Sequence, residues 1–195
     1  MKPAPPSSQQ NAARPRAGME VCILAGGLST RMGRNKALLR LGGKTLLTHI
    51  RQAAGKLGLP IRVIRRDLVP RCGPLGGIYT ALKTSGADAV LFLACDMPFV
   101  SEALLARLLK EFHAAGRRAV FTTQKSVAGF PLVLGAETGP LVEQLILEKR
   151  FSLQNLALKS GAKRFRPGRT FLNDLRNANT PDDWAGLRKE FAKKS

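Results

Sequence analysis

The chain has 195 residues, 44% of them hydrophobic and 6% aromatic, which is a globular composition with enough length for a substantial core. No apolar run approaches the ~20 residues that a membrane-spanning helix needs. The formal net charge of +19 favours attraction to polyanions, either nucleic acid or phosphorylated small molecules. The basic residues are spread along the chain without a nucleic-acid-binding motif, so a generally basic surface is the simpler interpretation.

Residues 1–18 are rich in Pro, Ser, Gln and Ala and lack the apolar centre of a secretory signal, so we predict a disordered tail. Residues 19–195 are predicted to form a single domain. Cys22, Cys72 and Cys95 are odd in number and widely spaced, which fits neither a disulfide framework nor a zinc motif. This cysteine usage favours a cytoplasmic location, and Cys22 and Cys95 are predicted to be buried free cysteines.

Strands and helices are predicted to alternate along the chain. The predicted strands are 21–25, 61–64, 89–95, 118–123, 130–134 and 162–166. The predicted helices are 44–57, 78–83, 101–112, 140–149, 152–158 and one that follows Thr180. Ser101 and Thr180 are predicted to cap the third and the last of these helices. A long loop rich in Gly and Pro is predicted over 65–77. The pattern indicates an α/β fold, with three αβα layers around a mostly parallel sheet.

The first strand runs directly into a glycine-rich basic segment. Gly26 and Gly27 allow a sharp turn and a close backbone approach to a ligand, and Arg31 and Lys36 can neutralise an anion held by loop N–H groups. The segment therefore predicts a phosphate-binding loop, although its spacing differs from the Walker and dinucleotide-binding patterns. The alternative is an ordinary glycine turn with solvated basic side chains.

Asp96 follows the very apolar strand 89–95, at the strand end where open α/β sheets bind ligands. A carboxylate in that position beside a phosphate loop predicts a Mg²⁺ site, because Mg²⁺ typically binds one or two carboxylates plus substrate phosphates. The alternative is a turn-forming aspartate before Pro98. His49 and His113 are not predicted to be catalytic, and no nucleophile–histidine arrangement is present.

Residues 24–36 (LAGGLSTRMGRNK) resemble the signature of nucleotidyltransferases that make nucleoside-diphosphate conjugates. Three further stretches resemble the molybdenum cofactor guanylyltransferases, the MobA family, in the family's order: 73–77 (GPLGG), 95–99 (CDMPF) and 177–183 (NANTPDD). The resemblance covers roughly residues 20–187. It implies a Rossmann-like nucleotidyltransferase fold and transfer of GMP from GTP to the terminal phosphate of molybdopterin, with pyrophosphate released.

The resemblance also implies roles for individual residues. Catalysis would rest on Arg31, Lys36 and Asp96, with Asp96 carrying Mg²⁺. Nucleotide binding would involve Leu24, Ala25, Gly26, Gly27, Lys36, Asp67, Gly73, Gly77 and Asp96. Asn177 and Asn179 would lie on the molybdopterin side. GTP and molybdopterin are the expected substrates and molybdoenzyme maturation proteins the candidate partners, whereas neither membrane nor nucleic acid is expected to bind.

Two departures from the family pattern keep other functions open. Asn35 replaces the Asp that the family has before its Lys. The segment before Gly73 is short, so Asp67 is either the nucleotide-contacting acid or a solvated loop acid. The alternatives are a nucleotidyltransferase that uses CTP or a sugar phosphate, a regulatory domain that binds nucleotide without turnover, and a basic nucleic-acid-binding module.

Overall fold

The computed structural model describes residues 18–26, 38–116 and 118–194. The predicted tail therefore lies outside the described residues, except for Gly18. The strands are β1 (Met19–Leu24), β2 (Arg40–Leu41), β3 (Lys44–Thr45), β4 (Ile61–Ile64), β5 (Ala89–Ala94), β6 (Ala119–Gln124), β7 (Val127–Gly135) and β8 (Lys163–Phe165). The helices are α1 (Leu46–Gly55), α2 (Pro74–Thr84), α3 (Glu102–Ala114), α4 (Gly139–Leu147), α5 (Leu153–Lys159) and α6 (Pro181–Lys194).

Six of the strands form one sheet in the order β4-β1-β5-β7-β6-β8. β1 runs parallel to both β4 and β5, and β6 runs parallel to β8, whereas β7 is antiparallel to its neighbours β5 and β6. Five strands therefore point in one direction and their carboxyl ends share one edge of the sheet. The predicted mostly parallel sheet is confirmed.

Helices cover both faces of this sheet, as the three-layer prediction requires. One core joins the sheet to the apolar faces of α1 and α3, through residues such as Ile50 and Leu104. The second core joins it to α2, α4 and α5, through residues such as Ile78 and Leu156. The inner strands β1 and β5 supply residues to both cores, because successive side chains of a strand point to opposite faces.

Short polar side chains set where the helices begin. The Thr45 hydroxyl accepts a hydrogen bond from the N–H of Thr48 at the start of α1 (3.1 Å), and the Ser101 hydroxyl accepts one from Leu104 at the start of α3 (3.2 Å). The predicted Thr180 cap of α6 is confirmed, with the Asp183 N–H donating to the Thr180 hydroxyl (3.1 Å). These bonds satisfy N–H groups that have no partner within the helix.

A third, smaller core lies beside α1 and was not predicted. It contains Leu41, Leu46, Ala178 and Leu187, so it joins the β2–β3 hairpin to α6 and to the chain that precedes α6. The Phe191 ring occupies the space where a side chain on Gly42 would lie. Gly42 has a φ of +55°, and glycine therefore suits this turn for two independent reasons.

A charged pair joins β1 to β4 and to the end of α2. Arg62 donates to Glu20 Oε1 from Nη2 (2.7 Å) and from Nε (3.1 Å). The same guanidinium donates to Ala81 O (2.8 Å) and to the Thr84 hydroxyl (2.7 Å). Arg62 therefore compensates a buried carboxylate and also satisfies a carbonyl group in the last turn of α2.

The cysteines are all free. Cys22 and Cys72 are buried and Cys95 is partly buried, so the prediction of two buried cysteines, Cys22 and Cys95, is correct only for Cys22. Burial raises the pKa of the Cys22 thiol to about 12, which keeps the thiol protonated at neutral pH.

Within the described ranges, no helix combines the length and the apolar character that crossing a membrane requires.

Candidate functional site

The carboxyl ends of β1, β4 and β5 lie side by side and form the floor of the candidate site. The Ala25 N–H donates to Ile64 O (2.8 Å), and the Cys95 N–H donates to Leu24 O (3.1 Å). Neighbouring strands are separated by about 4.8 Å, so the residues that leave these three strands start close together. The predicted nucleotide-binding residues Leu24, Ala25 and Gly26 therefore lie between the segments that carry Asp67 and Asp96.

Gly26 is in close contact with the segment that follows β4. A Cβ on Gly26 would lie 2.9 Å from Arg65 O and 3.5 Å from Asp67 Oδ1. No side chain fits there without movement of the Arg65 backbone, which explains why this position is glycine. Gly27, Arg31, Lys36 and the departure Asn35 lie outside the described residues.

The loop predicted over 65–77 ends earlier than expected. Gly73, with a φ of +55°, precedes α2, and Pro74 is its first residue. Gly76 and Gly77 are buried within the first turns of the helix, so the prediction of a second glycine loop was wrong. Their absent side chains permit close packing: a Cβ on Gly77 would lie 3.1 Å from Leu24 Cδ2 and 3.5 Å from Asp67 Oδ1.

Asp67 lies between Gly26 and the amino-terminal end of α2. It is partly buried, and this burial raises the pKa of its carboxyl group above the ordinary value. The structure brings together Leu24, Gly26, Asp67 and Gly77 from the predicted set. Gly73 is exposed one helical turn from Gly77, and its nearest neighbour is the Phe151 backbone.

Asp96 lies in the turn directly after β5 and is partly buried. Among the described residues, no three His, Cys, Asp or Glu side chains form a cluster that could enclose a metal ion. A single carboxylate at a strand end is the donor that suits Mg²⁺ held jointly with substrate phosphates, rather than a metal held by protein ligands alone. The donor set therefore fits the predicted metal.

A cavity of about 280 Å³ is lined by residues that flank Ala178, whose backbone is hydrogen-bonded to Asp96. The N–H of Ala178 donates to Asp96 O (2.9 Å), which fixes the segment of Asn177 and Asn179 next to the end of β5. The cavity is lined by both asparagines together with Gln124, Leu175, Arg176 and Asp183. The sequence interpretation missed Gln124, although Gln124 ends β6 and thus obeys the same strand-end rule as Asp96.

Known proteins resemble this chain in sequence and in fold. The sequence profile of the MobA-like NTP transferase domain matches residues 21–67 and 56–161. A probable molybdenum cofactor guanylyltransferase of Carboxydothermus hydrogenoformans is 32% identical, over 90% of this chain and 98% of the relative. Among solved structures, molybdopterin-guanine dinucleotide biosynthesis protein A of Archaeoglobus fulgidus has a TM-score of 0.74 at 23% identity, covering 89% of this chain and 99% of that one. The 4-diphosphocytidyl-2C-methyl-D-erythritol synthase of Anaerococcus prevotii has a TM-score of 0.68 at 12% identity, covering 90% and 99%.

Proposed function

Because the chain belongs to the MobA-like NTP transferase domain family, we propose that it transfers GMP from GTP to the terminal phosphate of molybdopterin and releases pyrophosphate. The observation that carries the proposal is the 32% identity, over nearly the whole length of both chains, to a probable molybdenum cofactor guanylyltransferase. The arrangement of Gly26, Asp67 and Asp96 at one sheet edge supports it.

In this proposal the backbone of Leu24, Ala25 and Gly26 binds the nucleotide. Gly26 leaves the backbone accessible, and Asp67, with Gly77 and Gly73 along the start of α2, borders the nucleoside. A carboxylate accepts hydrogen bonds and repels phosphate, so Asp67 suits the base or ribose rather than the triphosphate. Gly27, Arg31 and Lys36 hold the triphosphate by N–H groups and positive charge.

The chemical step needs little acid–base help from the protein. A terminal phosphate oxygen of molybdopterin attacks the α-phosphorus of GTP. The bond between the α-phosphorus and the oxygen that bridges it to the β-phosphorus breaks, and pyrophosphate leaves. The attacking oxygen is already anionic, so no general base is required. Arg31 and Lys36 orient the phosphates and offset the charge of the two anions. When bound at Asp96, Mg²⁺ supplies further neutralisation of phosphate charge.

The acceptor is proposed to occupy the cavity of Asn177 and Asn179. The hydrogen bond from the Ala178 N–H to Asp96 O supports this location, because it joins the segment that lines the cavity to the residue proposed to hold the metal, where the acceptor phosphate would approach the nucleotide. Amide side chains can both donate and accept, as the polar edges of a pterin require. Gln124 lines the same cavity and extends this amide set.

A cytidylyltransferase is the second candidate. The Anaerococcus prevotii structure shares the fold at 12% identity, so the fold alone does not select the base. Guanine presents two adjacent N–H donors on its pairing edge, whereas cytosine presents a donor beside an acceptor. An acceptor-only carboxylate such as Asp67 therefore favours guanine if it faces the base.

Nucleotide-dependent thermal stability tests the proposal. A ligand at 100 times its Kd stabilises the folded state by about 2.7 kcal/mol, which raises the Tm of a chain of this size by about 5–11 °C. We expect this shift with GTP and Mg²⁺, and much smaller shifts with ATP, CTP and UTP. An equal shift with CTP would favour the cytidylyltransferase, and no shift with any nucleotide would refute a nucleotide-binding site.

A further inference from the structure

We propose that Gly76 is a positioning residue for nucleotide binding, and that it acts through Asp67. The carboxylate of Asp67 lies where a side chain at position 76 would otherwise be. Any side chain there would turn the carboxylate away from Gly26 and from the proposed nucleoside site. The inference rests on the proposed function, because Asp67 is taken to contact the nucleotide.

The space beside Gly76 is too small for a Cβ atom. A Cβ on Gly76 would lie 2.7 Å from Asp67 Oδ2, 3.1 Å from Asp67 Cγ and 2.9 Å from Val69 O. Gly76 is buried and lies within α2, where glycine is otherwise unfavourable relative to alanine. The sequence thus keeps a poor helix former at a site where only the absence of a Cβ accommodates Asp67.

Hydrogen bonds fix the loop that carries Asp67 to α2, so they oppose a movement of the whole loop away from position 76. The Leu68 N–H donates to the Thr80 hydroxyl (2.8 Å), and the Thr80 hydroxyl donates to Gly76 O (2.8 Å). Thr80 is buried, so water does not readily replace either bond. One hydroxyl therefore connects the residue after Asp67 to Gly76.

Gly77 differs from Gly76 in the kind of neighbour it has. A Cβ on Gly77 would first meet the ends of the Leu24 side chain, at 3.1 and 3.3 Å, and a flexible side chain can adjust. A Cβ on Gly76 would meet a backbone carbonyl and a carboxylate. The easier of these two groups to move is the carboxylate, which also lies 3.5 Å from the Cβ position of Gly26.

A double-mutant cycle tests the inference with Gly76→Ala, Asp67→Ala, the double variant and the parent. The readouts are the Kd of the nucleotide with Mg²⁺ by calorimetry, and the KM and kcat of turnover. We expect Gly76→Ala to raise Kd and KM about tenfold with kcat unchanged, and to have no further effect in the Asp67→Ala background. The control is Gly55→Ala, since Gly55 lies in α1 with open space around its Cβ position, and it should leave both constants unchanged.

Three outcomes would overturn the inference: parent-like binding in Gly76→Ala, parent-like binding in Asp67→Ala, or a second tenfold loss in the double variant. The cycle is run with whichever nucleoside triphosphate stabilises the parent most. A preference for CTP would then refute the guanylyl assignment while Gly76 is still tested.

A second pair of variants covers the case in which Gly76→Ala fails to fold. Thr80→Val removes the hydroxyl that fixes the loop, and Thr80→Ser keeps it. Thr80→Val should raise the nucleotide KM without a change in kcat, and Thr80→Ser should restore the parent value. Equal KM values for the valine and serine variants would contradict the inference.

Discussion

Replacing Arg62 by alanine tests the contacts that join β1, β4 and α2 next to the candidate site. The guanidinium contacts Glu20 of β1 and, in α2, Ala81 and Thr84. It therefore connects the strand that precedes Gly26 to the helix that adjoins Asp67. Arg62→Ala leaves the Glu20 carboxylate buried without its compensating charge.

The expected loss follows from the burial of the two side chains. Removing one partner of a fully buried pair costs about 3–5 kcal/mol. The Glu20 and Arg62 side chains are 12% and 31% exposed, so solvent screens part of the interaction and a loss of about 3 kcal/mol is expected. In a chain of this size that loss lowers Tm by about 6–12 °C.

Urea and thermal unfolding followed by circular dichroism measure the change. The double variant Glu20→Gln/Arg62→Ala should recover about 1 kcal/mol, because no charge remains buried. The control is Lys56→Ala, which breaks an exposed pair with Glu102 at 3.8 Å and should change stability by less than about 0.5 kcal/mol. A loss below about 1 kcal/mol in Arg62→Ala, or a double variant less stable than the single, would show that Arg62 does not compensate a buried charge on Glu20.

Three further predictions concern the site. Burial raises the pKa of Asp67, so on acidification its carboxylate is protonated at a pH above the ordinary value of 3.8, and the affinity for GTP should fall there. Calorimetry on Asp67→Asn, which lacks this titration, should show a weaker dependence of GTP affinity on pH. The same dependence in both proteins would count against a contact between Asp67 and the nucleotide. Asp96→Asn should lower the rate of pyrophosphate release about 100-fold or more with Tm within about 2 °C of the parent, and full activity would remove Asp96 from the metal role. Gln124→Ala should raise the KM for molybdopterin about fivefold, the cost of one hydrogen bond, and leave the KM for GTP unchanged; an equal rise in both would indicate a general disturbance of the sheet edge.

The sheet, and the position of Asp96 at a strand end, could be predicted because each depends on a strong local pattern. β5 is a continuous apolar run, so the sequence shows where it ends and puts Asp96 at the carboxyl-terminal edge of the sheet. Thr180 and Ser101 precede their helices as short polar caps, and both predictions are confirmed. These features need no knowledge of distant contacts.

The features that were missed depend on tertiary contacts. The β2–β3 hairpin has two residues per strand, too few for a periodic signal, and it packs against Phe191 from the other end of the chain. Gly76 and Gly77 indicated a loop by composition, yet they lie in α2, where the absence of their side chains leaves room for Asp67 and Leu24. Gln124 could have been proposed from its strand end alone, but the cavity it lines is formed with residues that precede α6 and with Asp183 in its first turn.

Guanylyl transfer to molybdopterin is measured by pyrophosphate release with molybdopterin and each of the four nucleoside triphosphates, accompanied by identification of the dinucleotide product. We expect release that requires both molybdopterin and GTP, with one molybdopterin guanine dinucleotide formed per pyrophosphate. Equal or faster release with CTP, or release of GTP phosphates without molybdopterin, would contradict it.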